Sequence, residues 1–242
     1  MLIAEGIVGK VVSFIVNKSI DSLVSIPFDK HRKACRALTK LYYSVQALDD
    51  VTESFIQTLN HFKHSGDASA VIHALNSHSH EVELTTNSFI DLGNELYGGL
   101  EIIDPVLAEC CHSLYRGKGD FLSFLSNSIE WDRSPESSRV LLKRPLGKMQ
   151  AVDMDSMYER TKLALASGEK HYWPSSAFDD FSSDFEEISI GWEDNKAAKE
   201  FESMIIQQNQ LLKEAKEGLR KLLKENFSIE EILFQSDAHP YR

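Results

Sequence analysis

The sequence predicts an all-α fold: a helical bundle built on a long antiparallel helical hairpin over residues 30–63 and 67–98, with an additional long helix over 192–226. Three observations carry this expectation. In the first arm Leu38, Leu41, Val45, Leu48, Thr52, Phe55, Leu59 and Phe62 recur at alternating spacings of three and four. In the second arm Val71, Leu75, His78, Val82, Thr85, Phe89, Leu92 and Leu96 do the same, and Ser65-Gly66-Asp67 sits between the arms as a turn. Such an alternation puts one stripe on one helix face, and two stripes joined by a short turn zip together. Finally, no stretch shows the period-two alternation expected of a sheet.

Taken in order, residues 2–26 are the most apolar stretch, and Pro27 closes it, because proline removes a backbone donor and disfavours helix at the residue before it. Its length suffices to span a bilayer. Glu5, Lys10, Lys18 and Asp21 oppose simple insertion, since each charge near the bilayer centre costs about 2.5–3.5 kcal/mol. Gly6, Gly9 and Ser13 form a small-residue edge suited to close helix contact. Three readings stand: a buried core helix, a helix released to membranes after oligomerisation, or a strand through Val11–Val16. Lys30, His31, Arg32 and Lys33, followed by Arg36 and Lys40, open the first hairpin arm as either a solvated face or a patch for anionic lipid or an acidic partner.

The second arm has Asp67 as an N-cap and Gly98-Gly99 as its stop. Asp104-Pro105 reads as N-cap and first helical position of the next helix, which uses Leu107, Cys110 and Leu114. Apolar residues from Phe121 to Ile129 continue the pattern beyond Gly117-Lys118-Gly119-Asp120. Residues 131–152 and 169–191 read as loops flanking a short helix over 153–167, with Met157, Thr161 and Leu165 on one face and Gly168 past its end. The last long helix, from Trp192 to Asn226, carries Leu211, Leu212, Ala215, Leu219 and Leu222 on its apolar face. Ser228 with Glu231 forms a capping box for a final turn, Ile229 to Phe234. The expected organisation is a bundle over 1–130, a loop-rich connection over 131–191, and a C-terminal segment over 192–242 that packs on the bundle.

A formal net charge of −11 excludes a nucleic-acid partner, which needs a surplus of Lys and Arg on one face. Three cysteines, two of them adjacent, are no disulfide framework and fit a reducing, cytoplasmic setting. The first residues lack the basic region and cleavage site of a secretory signal, and Leu2 stands where myristoylation needs Gly. Phosphate-loop, GxSxG, HExxH and GxGxxG motifs are absent, so no enzyme and no cofactor is expected. His61, His64, His73, His78 and His80, with Glu81 and Glu83, cluster around the hairpin tip; solvated histidines account for them better than a zinc site, and no metal is expected. Phe178, Phe181 and Phe185 alternate with carboxylates over 178–187, a pattern suited to docking on a basic, apolar groove or to lapping over the bundle.

The order of an apolar, Gly-containing helix (Leu2-Ile3-Ala4-Glu5-Gly6-Ile7-Val8-Gly9), a basic helix start and a helical bundle resembles the membrane-acting cell-death bundles. These are the fungal HeLo domains, the N-terminal bundle of the mixed-lineage kinase-like pseudokinase and the coiled-coil domains of plant immune receptors. The resemblance covers residues 1–130. It implies a bundle soluble at rest that releases its first helix into membranes on oligomerisation, and peripheral membrane attachment once activated. The expected function is therefore that of a non-enzymatic effector acting by oligomerisation and membrane association. Its active surface would comprise Leu2, Ile3, Ile7, Val8, Val11, Ile15, Lys30, Arg32, Lys33 and Arg36. The alternative is an adaptor or complex subunit that binds a protein partner through helical faces and the acidic-aromatic segment 178–187.

Overall fold

The computed structural model describes residues 4–23, 26–65, 73, 92, 95–116, 139–145, 153–168, 185–191 and 196–234. The body is an all-α bundle. Its helices are α1 (Ala4–Leu23), α2 (Phe28–Ser65), α3 (95–103), α4 (Pro105–Arg116), α5 (Met154–Ser167), α6 (Lys196–Asn226) and α7 (Ile229–Leu233). The first hairpin arm is α2, described as helix through Ser65; Gly66 and Asp67 of the expected turn lie outside the described residues. Most of the second arm lies outside the described residues, as do 121–129 and the histidine-rich stretch from His78 to His80. Its last turns are α3, which runs back along the start of α2: Glu95 meets Arg36 and Lys40, and Gly99 meets Ala37.

Gly98-Gly99 does not stop the helix; α3 runs through both glycines to residue 103. The reason is packing. A Cβ on Gly99 would lie 2.3 Å from the Cβ of Ala37, so glycine is what lets α3 lie directly on α2. The break comes at Asp104, whose carboxylate accepts from the backbone N–H of Val106 at 2.8 Å and so caps α4, with Pro105 in the first helical position.

The C-terminal helix completes the core. Gly9 of α1 faces the backbone of Leu211, and Val16 of α1 faces Gly218 of α6. One heptad forward on α1 is thus one heptad forward on α6, so the two helices run parallel. On another side of α6, stepping up α2 from Asp49 to Glu53 steps down α6 from Lys216 to Lys213, so these two run antiparallel. α6 therefore packs against both α1 and α2, while α1 and α2 touch each other much less. The fully buried side chains Ile15, Leu38, Leu92, Leu96, Leu100, Leu107, Leu212 and Leu219 come from five helices and one further helical residue, Leu92, and belong to one cluster. Each contributes about 1.5–3 kcal/mol by leaving water. Thr52 fits this apolar seam because its hydroxyl donates to the carbonyl of Leu48, one turn back, at 2.7 Å.

α5 begins at the expected cap, Asp153, and ends at Gly168 in the left-handed conformation (φ 71°). Its buried face is Met154, Met157, Thr161 and Ala164, and Leu165 is exposed rather than part of that face. Spacing alone left two apolar stripes available on so short a helix, and packing on α4 selected one of them.

The stretches 131–152 and 169–191, expected to be loop on either side of the short helix, contain a two-stranded antiparallel ribbon, β1 (Arg139–Pro145) with β2 (Phe185–Gly191). Its register sets Val140 opposite Ile190, Leu142 opposite Ile188, Lys143 opposite Glu187 and Arg144 opposite Glu186. Branched apolar residues and opposite charges share rungs, which favours pairing. The strands are separated in sequence by all of α5, so no local turn signal announces them.

The two glycines of α3 give opposed expectations. Gly99→Ala should destabilise by about 1–3 kcal/mol through overpacking, seen as a lower urea midpoint at unchanged slope, and Ala37→Gly should restore part of the loss. Gly98→Ala, where a Cβ meets nothing within 4 Å, should stabilise by about 0.5–1 kcal/mol.

Candidate functional site

The seat of α1 on α6 is built from small and branched residues. Val12, Ile15, Val16, Ser19 and Leu23 recur at helical spacing and are all buried, as is Gly9. A Cβ on Gly9 would stand 3.0 Å from the carbonyl carbon and oxygen of Leu211, so only a residue without a side chain allows this approach. The hydroxyl of Ser19 is fully buried and without a hydrogen-bond partner, which costs about 1–3 kcal/mol.

A second set of contacts ties α1 to α5. Lys18 Nζ lies 3.1 Å from Asp155 and 4.5 Å above the ring of Tyr158, whose edge meets Phe14 at 5.9 Å between centroids. Tyr158 donates its hydroxyl proton to Asp104 at 2.5 Å, and burial together with that carboxylate raises the phenol above its ordinary value. Asp104 thus caps α4 and anchors α5 at the same time.

The α2 side of α6 is polar. Lys216 pairs with Asp49, whose side chain is buried, and Lys213 and Asn209 both donate to Glu53. The Lys213 hydrogen bond holds the Glu53 carboxyl below its ordinary value. One oxygen of Asp49 and the amide oxygen of Asn209 are buried without partners. Sequence reasoning missed this layer, because the residues it joins are up to 167 positions apart. The one local hint was Asp49, a carboxylate beside the apolar seam of α2.

At the end of the bundle, His31 Nδ1 lies 3.0 Å from Glu231 Oε1, and its ring rests on Phe227 at 4.5 Å between centroids. Glu231 also closes the capping box with Ser228; that backbone bond, and then His31, hold its carboxyl below the ordinary value.

Of the residues expected at a membrane or partner surface, Ile15 is 1% exposed and Val11 is partly buried, so both belong to the resting core or its margin. Ile7 and Val8 lie in α1 with side chains outside the described set, and Leu2 and Ile3 lie outside it altogether. Lys30, Arg32 and Lys33 are exposed. Arg36 differs from them: with Lys40 it is engaged by Glu95, at 3.3 Å and 2.7 Å. Phe178 and Phe181 lie outside the described residues, and Phe185 opens β2 opposite Pro145, so the 178–187 segment ends in a strand rather than in loop.

Cys35, Cys110 and Cys111 are free and buried. Burial pushes the thiol of Cys35 up to about 11 and that of Cys110 up to about 12, and raises that of Cys111 well above its ordinary value. Such thiols are poor nucleophiles at neutral pH. Among the described residues no group of three or more His, Cys, Asp or Glu is placed to hold a metal ion; His61, His64 and His73 are exposed. Also among them, no helix is long and apolar enough to cross a membrane. Comparison with protein-family models, curated proteins and solved structures returned no match.

The depressed carboxyls of Glu53 and Glu231 make stability fall in acid. Their contribution is fully present above the ordinary value of 4.5 and is lost as the pH drops through their lower native values. Glu53→Gln should therefore lower the urea midpoint at neutral pH and flatten its decline below pH 4.5. An unchanged decline would remove Glu53 from the acid response.

Proposed function

We propose that this chain is a non-catalytic helical effector, latent at rest, that acts by self-association and membrane engagement once α1 leaves α6. The observation that supports this reading is the difference between two faces of α6. Toward α2 the helix is pinned by Asp49–Lys216 and Glu53–Lys213, whereas toward α1 it meets small and apolar groups, Gly9 against the Leu211 backbone and Val16 against Gly218, with Val12 and Ile15 buried in the same core cluster. Beside a bilayer these faces respond in opposite ways. Lipid tails are as apolar as valine, so the driving force for an apolar contact disappears there. Ion pairs gain nothing from being drawn into lipid and hold their partners together. α1 is thus the element a membrane can take without dismantling the α2–α6 body.

Glu5, Lys10, Lys18 and Asp21 oppose a single α1 spanning alone, so the active form is an assembly in which several copies share the cost, or a helix lying in the interface. Cysteines at positions 16 and 218 supply the test, because a Cβ at 218 would stand 3.6 Å from the Val16 side chain, within disulfide reach. Val16→Cys with Gly218→Cys, brought together by an appended inducible dimerising domain, should release dye from phosphatidylserine vesicles when reduced and not when oxidised. Absence of leakage in the reduced form, or equal leakage from both, would overturn the reading. Ser19→Ala, which removes an unsatisfied hydroxyl from the seat, should raise the urea midpoint and slow leakage.

A further inference from the structure

α1 is gripped from two opposite sides. Gly9 and Val16 face α6, at the backbone of Leu211 and at Gly218. Phe14 and Lys18, one turn apart, face α5: Lys18 Nζ lies 3.1 Å from Asp155 and 4.5 Å above the Tyr158 ring, and Phe14 meets the same ring at 5.9 Å between centroids. At about 100° per residue, the second pair lies roughly 140–180° around the helix from the first. α5 is itself held from behind. Tyr158 donates to Asp104 at 2.5 Å, α5 packs along α4, and Met154 and Met157 are buried in the common core. β1 precedes α5 and β2 follows it, and the pairing of the strands brings the two flanks of that segment together. α5 is thus fastened over the side of α1 that is turned away from α6.

We propose that α5 is an autoinhibitory clasp on α1, which has to let go of Phe14 and Lys18 before α1 can leave α6. This role rests on the reading that α1 is the released element, and it names what restrains that element. The two grips differ in kind. The α6 side is apolar, whereas the α5 side is centred on a charge. Lys18 is one of the four charges that oppose insertion of α1, and in the closed bundle the Asp155 carboxylate and the Tyr158 ring engage it. A medium that dissolves the apolar seat therefore leaves the hold on Lys18 in place, so the two restraints fail separately. The α5 grip is also light enough to be reversible. The side chains of Lys18 and Asp155 are 30% and 78% exposed, and an ion pair so open to water adds little. The ring of Tyr158 carries the rest, and Asp104 holds it on α4 whether α1 is present or not. Opening the clasp breaks a few side-chain contacts and leaves α4 and α5 together.

Hydrogen exchange of the full chain, without lipid, tests the clasp, because amide exchange reads local opening. Asp155→Lys, at an exposed position, should speed exchange of the α1 amides about threefold, and Tyr158→Leu about tenfold, with the α2 amides unchanged. Lys18→Glu with Asp155→Lys should restore part of the protection, since the pair re-forms with its charges exchanged. Equal acceleration in α1 and α2 would make these contacts merely structural, and no acceleration in α1 would remove the clasp. Asp155→Lys and Tyr158→Leu leave the sequence of α1 intact. In the inducibly dimerised Val16→Cys, Gly218→Cys protein they should therefore speed dye release when it is reduced and not when it is oxidised. Release that the disulfide blocks but neither α5 variant speeds overturns the clasp and keeps the release of α1. Exchange raised selectively in α1, with no dye release from any form, overturns the membrane reading and keeps α5 as the restraint on α1.

Discussion

The bundle depends on the approach of α1 to α6 at Gly9, where the helix lies against the backbone of Leu211. Parallel neighbours cannot be joined by a short turn, so the chain has to travel through the rest of the bundle before α6 can return beside α1. The core is consequently closed by the last long helix, and residues near both ends of the chain, Ile15 and Leu219 among them, are buried together. Contacts of such sequence separation are slow to form, because the loop-closure entropy comes first and the burial afterwards. Until α6 arrives, the apolar stripe of α1 and the seam of α2 lack the surface that covers them.

α6 meets its two neighbours by different physics. A buried charge pair such as Asp49–Lys216 adds little net stability, because desolvation offsets most of the attraction, but misplacing either partner leaves a buried charge uncompensated. The pair therefore sets register more than it adds strength. Glu53, shared by Lys213 and Asn209, repeats the constraint one turn away, and water shares it, since both charged side chains are about two-fifths exposed. The α1 face has shape and apolar area in place of charge, and Ser19 is buried there at a cost. A helix held this way is firm in water and replaceable in an apolar medium, which is the physical basis of the proposed release.

The corner formed by α7 and the start of α2 adds a different logic. It is rigid, capped and tied by the His31–Glu231 contact, yet it spends three large apolar side chains on solvent.

Local periodicity and local chemistry determined a good deal. The α2 stripe from Leu38 to Thr52, the Asp104-Pro105 start, the Asp153 and Gly168 boundaries of α5 and the Ser228–Glu231 box all follow from residues within a turn or two of each other, and all are present. What depended on distant partners was not legible. Gly98-Gly99 had the composition of a stop, and only Ala37 lying against position 99 shows that glycine serves close packing there. Leu165 fitted a helical face as well as Ala164 did until α5 had a neighbour to choose between them. β1 and β2 found each other across an intervening helix. Arg36 looked like part of a basic patch because nothing near it in sequence reveals Glu95. The candidate site divides in the same way. Its apolar helix and its cations could be read from the chain, but the α1 seat, the Asp49–Lys216 layer and the His31–Glu231 contact between α2 and α7 exist only because the tertiary structure folds the end of the chain back onto its beginning.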